Sequence, residues 1–385
     1  MKQKLVVLEL ILLAWLLYDN QLGAQSSQEV PCPPQPPQTY CVLLKDGFLG
    51  PFAVSPDGRF LATLMNKAWG SWEGTIIILQ LPQGVLLHEV PHGWPFVSIA
   101  FSSDSKLLAA GTLDGKIKLW DMTTGKEVRT IDTQAFIPVG ALAFSPDGRW
   151  LASSTCERRD LKVTCEQPDV GKINLWEVAT GKLLRVISSS HQGEVMKLAF
   201  SPDSKVLAVA WEKAVVDVWE IETGRRGFSI NNAIPMPFFA VAFSPDGQLL
   251  ATDYCLKFAG YRNCGQAEVR LWYAKDGDFV RTLPGITPYN GNVNSISFSP
   301  TGKLLAAGMF QNVKIWEVTS GAELRTIPAK VVDSVAFIPP EGRWLAYVDF
   351  EINSGDTIKL YYIGDLTGTS SNTAIWHRRY ITPMP

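Results

Sequence analysis

The strongest constraint on this chain is a turn that recurs along it. The stretch Leu142-Ala143-Phe144-Ser145-Pro146-Asp147-Gly148-Arg149-Trp150-Leu151-Ala152 reads as a strand, a tight turn and a second strand. Pro146 presets φ for the turn, Asp147 can accept from its own backbone, and Gly148 supplies the positive φ that follows. Apolar residues on both sides suit two buried antiparallel strands. Related stretches begin at Phe52, Ala100, Ala199 and Ala242, each running into a Ser-Pro-Asp or Ser-Ser-Asp turn, and looser ones begin at Ser297 and Ala336. An isolated hairpin is marginal in water, whereas a series spaced by roughly 40 to 56 residues has the period of propeller blades.

A second signature follows each hairpin. Lys116-Ile117-Lys118-Leu119-Trp120-Asp121 and Lys172-Ile173-Asn174-Leu175-Trp176-Glu177 show it in full, and Trp219, Trp272 and Trp316 mark it in later units. Ile76-Ile77-Ile78-Leu79 is a degenerate form, and Tyr361 stands where the last Trp would be. A Thr-Gly or Asp-Gly turn and a fourth strand such as Glu127-Val128-Arg129-Thr130-Ile131 complete the unit. In these two signatures the chain resembles the WD-repeat family over nearly all of its length after about the first forty residues. Seven such units of four strands imply an all-β fold, a seven-bladed β-propeller of four-stranded antiparallel blades, as the resemblance also implies. In that family a loop His, a strand Ser or Thr, an Asp and the Trp often form one polar chain. Here Asp114 fits the Asp position, but Ala110 replaces its Ser partner, and Lys213 stands where another Asp would be. His92 and His191 fall in the loops where the family His belongs. The polar chain is therefore expected to be mostly absent. Trp120, Trp176, Trp219, Trp272 and Trp316 are then packing residues, with cohesion resting on apolar area at roughly 25 cal/mol per Å².

Three segments are expected: a signal peptide over 1–24, a Pro/Gln-rich linker over 25–38 and the propeller over 39–385. Lys2 and Lys4 precede the apolar run Leu5 to Leu17, and Leu22-Gly23-Ala24 offers a cleavage site before Gln25. That run is shorter than the roughly 20 residues that span a bilayer, so it reads as an export signal, with an uncleaved tether as the alternative. Either places the propeller outside the cytosol: periplasmic, cell-surface or secreted. The six cysteines fall in three equally spaced pairs, Cys32 with Cys41, Cys156 with Cys165 and Cys255 with Cys264. Six cysteines allow about fifteen pairings, and the repeated spacing favours local disulfides. Metal binding is the rival reading, but thiolate zinc sites use closer pairs. Tyr40-Cys41-Val42-Leu43-Leu44 has strand character and is expected to supply the last blade's fourth strand, in competition with Ala374 to Tyr380.

Chemistry is hard to place on this chain. His88-Glu89-Val90-Pro91-His92 fits the zinc-protease pattern, but that pattern needs a helix, and Pro91 breaks one. No Gly-rich phosphate loop or nucleophile elbow appears, and the turn carboxylates have a turn role. The reading is a non-enzyme without cofactor or metal, acting as a monomeric ring. A formal charge of −2 gives no basic face for nucleic acid. What remains is the face carrying the second-to-third and fourth-to-first strand loops. Departures from the repeat collect there: Trp69, Trp72, Trp94, Arg158, Arg159, Trp211, Tyr254, Phe258, Tyr261, Arg262, Tyr289 and Phe310. Loops on rigid scaffolds carry function, and Trp, Tyr and Arg dominate interface energies. These residues are expected to bind a protein or peptide partner. A glycan or small ligand stacked on exposed rings is the alternative, and a propeller hydrolase a more distant one.

Overall fold

The computed structural model describes residues 40–44, 48–66, 74–92, 96–134, 138–156, 171–188, 193–260, 263–284, 292–350 and 356–364, all within one compact unit, Pro31–Pro385. The expected signal peptide and linker lie outside these residues. Every regular element among them is a strand.

The first strand, β1 (Tyr40–Leu44), is set apart from those that follow it. The first sheet is β2 (Phe48–Val54), β3 (Phe60–Asn66), β4 (Gly74–Gln80) and β5 (Val85–His92). The second is β6 (Phe96–Phe101), β7 (Leu107–Thr112), β8 (Lys116–Asp121) and β9 (Glu127–Asp132). The third is β10 (Leu142–Phe144), β11 (Trp150–Cys156), β12 (Gly171–Glu177) and β13 (Leu183–Ser188). The fourth is β14 (Val195–Phe200), β15 (Val206–Trp211), β16 (Val215–Glu220) and β17 (Arg226–Asn231). The fifth is β18 (Val241–Phe243), β19 (Leu249–Gly260), β20 (Asn263–Tyr273) and β21 (Phe279–Leu283). Each is an antiparallel meander.

The remaining strands form one sheet. These are β22 (Val293–Phe298), β23 (Leu304–Glu317), β24 (Glu323–Phe337), β25 (Trp344–Asp349) and β26 (Thr357–Tyr362), and with β1 they lie in the order β1-β26-β25-β24-β23-β22. The expectation of seven blades is corrected here. Taking each hydrogen-bonded sheet as a blade, the described residues form six, five of them four-stranded and one six-stranded. The reason is the continuity of β24, whose first part pairs with β23 and whose last part pairs with β25. No turn separates the last two sequence repeats, so one sheet holds both.

The inner strands follow one another round a closed circle, from β2 through β6, β10, β14, β18 and β22 to the end of β24 and back to β2. Apolar clusters fill the spaces between neighbouring sheets. One joins Ile173, Leu175 and Ile187 of the third to Leu207, Val209 and Trp211 of the fourth. The repeated Trp residues are all buried, as their packing role requires. The polar chain is less absent than the sequence implied. Trp176 Nε1 donates to Ser153 Oγ at 2.8 Å, and Trp272 Nε1 donates to Thr252 Oγ1 at 3.0 Å.

The recurring turn is held by its own side chains. Ser145 Oγ donates to Asp147 at 2.5 Å and accepts the Trp150 N–H at 2.9 Å. Turns also touch across sheets. Ser105 and Ser204 take the positive-φ place usually given to Gly. Ser105 Oγ accepts the N–H of Asp57 at 3.1 Å, and Ser204 Oγ accepts that of Asp147 at 3.0 Å, both in the preceding sheet.

Candidate interaction surface

In a four-stranded meander the first and third turns emerge on one side and the second turn on the other. The expected partner-binding residues belong to the second-turn side. Its most developed element is in the fifth sheet, where β19 and β20 extend as a long hairpin rather than ending in a loop. Cys255 and Cys264 are disulfide-bonded across it. Their backbone N–H groups donate to the side chains of Asn232 at 2.9 Å and Asn292 at 2.8 Å, so residues before and after the sheet hold the hairpin between them.

The structure places the predicted residues unevenly. Trp211 and Tyr254 are corrected: both are interior, at 0% and 8% exposure. Trp211 ends β15 opposite Val215, and its ring lies against Gly171 of the third sheet, where a Cβ would collide with it. Gly171 is the sequence signal for that burial, a small residue making room for a ring. Tyr254 continues β19 and packs beside Phe238 and Trp272, with the Arg270 guanidinium 3.5 Å from its ring centroid. Neither ring can face a partner. Phe310 is exposed at 42%, and Phe258 lies in β19 with its backbone opposite Cys264. Trp69, Trp72, Trp94, Arg158, Arg159, Tyr261, Arg262 and Tyr289 lie outside the described residues, as do Cys32 and Cys165. Cys41 and Cys156 are placed by their backbones in β1 and β11.

Two groups with altered acidity lie near this side of the ring. Burial pushes the Asp253 carboxyl up to about 7, although the backbone N–H groups of Ala240 and Phe239 pull the other way. Desolvation by the surrounding strands lowers Lys197, on inner strand β14, although its side chain keeps exposed surface, and Asp333 of β24 partly opposes that fall. Neither residue stands out in the sequence, because each occupies a strand position that is apolar or small in other units. The stretch His88-Glu89-Val90-Pro91-His92 is strand β5, paired with β4 along its length, so no helix places both histidines on one metal.

Comparison with known proteins identifies the repeats. The model of the WD domain, G-beta repeat, matches residues 84–121, 125–163, 181–215 and 277–317. The chain is 37% identical over 108 residues to WD repeat-containing protein SL1-17 of Schistosoma mansoni, covering 28% of this chain and 33% of that protein. It is 34% identical over 117 residues to WD repeat and SOCS box-containing protein 1 of Homo sapiens, covering 30% and 24%. It is 28% identical over 166 residues to the Periodic tryptophan protein 2 homolog of Dictyostelium discoideum, covering 42% and 16%. The matched region spans a third or less of each relative. The repeat matches and the ring of antiparallel sheets agree: the chain carries WD repeats and folds as a WD-repeat β-propeller.

Proposed function

We propose that this propeller is a non-catalytic protein-interaction scaffold that works outside the cytosol and engages a partner through its second-turn side. The observation that carries the reading is the β19–β20 hairpin, a rigid, disulfide-pinned extension of one sheet on that side. WD-repeat propellers are typical interaction scaffolds, and rigid elements that project loops are suited to selective contact. The basic-then-apolar start of the chain and the oxidised Cys255–Cys264 pair support an exported site of action.

The test is affinity capture from native envelope and extracellular extract with the oxidised full chain as bait. A second bait carries Trp72→Ala, Trp94→Ala and Tyr261→Ala after its folding has been matched to the first. A protein held by the first bait and released by the second supports the reading. Equal retention by both baits would count against the proposed face, and specific retention of a glycan would replace the protein partner with a sugar.

A further inference from the structure

A groove of about 730 Å³ lies between the fourth and fifth sheets, on the side opposite the β19–β20 hairpin. Val218, Phe228 and Phe243 contribute its apolar surface, and Tyr273 stands at its edge with 46% of its area exposed. It opens where four neighbouring positions depart from the repeat at once.

Strand register identifies those positions. In each of the first six sequence repeats the fourth strand bulges beside the end of the third, and the bulged residues are Leu87, Val128, Leu184, Gly227, Val280 and Leu324. Only Gly227 lacks a side chain. A Cβ there would meet nothing nearer than the Val218 carbonyl oxygen at 3.5 Å, so the missing side chain leaves open space. The next residue is Arg in four of these strands and His in another, but Phe228 in the fourth sheet. The residue after the buried Trp is acidic at Asp121, Glu177, Glu220 and Glu317, but Tyr273 in the fifth sheet. Two residues beyond the turn carboxylate stand Arg59, Lys106, Arg149, Lys205 and Arg343, but Gln248 follows Asp246.

The charges that remain favour one kind of occupant. Lys205 and Lys275 each pair with a neighbouring acid, Asp203 at 3.6 Å and Asp276 at 3.3 Å. Asp246 and Glu220 are bonded to hydroxyls of their own turns, Ser244 at 2.5 Å and Thr223 at 2.8 Å, with no ion pair among the described residues. The groove therefore joins an aromatic and aliphatic surface to two carboxylates without a cation. We propose that it is a second docking site, which takes an extended segment of a partner protein. A large apolar side chain would enter the space above Gly227, between Phe228 and Tyr273, and an adjacent Lys or Arg would reach Asp246 and Glu220. Burying one such anchor in a pocket while pairing a cation at its rim is how short segments gain affinity from few contacts.

Panning a display library of random short peptides against the full chain tests this, with recovered peptides measured by fluorescence anisotropy. The expected selection is a large apolar residue adjacent to Lys or Arg. Gly227→Leu restores the residue found at Leu184 and Leu324 and is expected to weaken binding by about ten-fold or more. Gln248→Arg and Tyr273→Glu restore repeat-typical residues without filling the space above Gly227, and each is expected to weaken binding. They decide the matter if Gly227→Leu does not fold. Phe310→Ala, on the other side of the ring, is expected to leave peptide binding unchanged, which separates this site from the proposed loop face. The proposal is overturned if no peptide is selected, if the selected peptides lack the apolar–basic pair, or if the folded variants bind as the wild type does.

Discussion

Asp253 carries a carboxylate into the interior, where its Oδ1 accepts the N–H groups of Phe239 and Ala240, both at 3.0 Å. In the third sheet the corresponding place holds Ser154, whose hydroxyl accepts the Ala141 N–H at 2.9 Å. A serine does this work without a charge; an aspartate does it with its carboxyl pushed up to about 7 by burial. Below the ordinary value of 3.8 the folded and unfolded chains both hold the proton, and the residue costs nothing. As pH rises from there to about 7, the unfolded chain releases the proton while the folded chain keeps it, so stability falls. Above that the loss is constant, at roughly 4 kcal/mol. Asp253→Asn keeps the Oδ1 acceptor and removes the titration. Urea unfolding across a pH series should find the variant more stable at pH about 8, with the gain shrinking to nothing near pH about 4. A difference that does not change with pH would show that the carboxyl is not held protonated in the fold.

At the scale of elements, neighbouring sheets are fastened by the residue that follows the outer-strand bulge of each four-stranded sheet. Arg129 forks onto the carbonyls of Val178 at 2.6 Å and Ala179 at 2.9 Å, in the turn of the next sheet. Arg185 repeats this on Glu222 at 2.8 Å and Thr223 at 3.1 Å, and His88, Phe228 and Arg281 cover the corresponding glycines, Gly125, Gly277 and Gly321. These turns need Gly twice over, for positive φ and for the side chain that lies on them. Arg185→Ala is expected to lower the urea-unfolding free energy by about 1–2 kcal/mol, because two charge-assisted bonds are lost at a partly solvated site. Arg185→Lys should recover less than half of that, since an ammonium cannot fork across two carbonyls. The turns and packing Trp residues were legible in the sequence because each rests on local chemistry: Pro and Gly at fixed φ, an aromatic ring at the end of an alternating strand. Trp211 and Tyr254 were misread because strand length, which local pattern does not set, decides whether a residue after the repeat core is loop or interior. The union of the last two repeats was hidden for the same reason, since it depends on β24 running on without a turn. The groove at Gly227 becomes visible only once register aligns the bulges.

The whole ring closes over a glycine turn, as its sheets do, but with a bulged residue of β1 rather than the residue after a bulge. β1 is the outer strand beside β26, with Val42 opposite Lys359 and Leu44 opposite Ile358, so the early strand rather than the Ala374–Tyr380 stretch occupies that edge. The latter stretch lies outside the described residues. Leu43 lies against Gly84, in the turn of the first sheet, as Arg129 lies against Gly181 in the third. On the inner side the Leu49 N–H donates to Asp356 at 2.7 Å, and the Gly58 turn meets Pro339. Closure therefore has an inner and an outer fastening, and removing β1 takes away only the outer one. Deleting residues 1–44 should expose the β26 edge and leave the Gly84 turn uncovered. Stability should fall by several kcal/mol, on the order of a lost strand with its buried Leu. Unfolding should become less cooperative, with the sheet nearest the gap opening first, as faster amide exchange in β26 than in β16 would show. A synthetic peptide spanning residues 38–47, added in trans, should restore both the midpoint and the protection of β26, because the edge it fills is otherwise intact. An unchanged midpoint after deletion would mean that the inner contacts of β2 with the last sheet close the ring unaided.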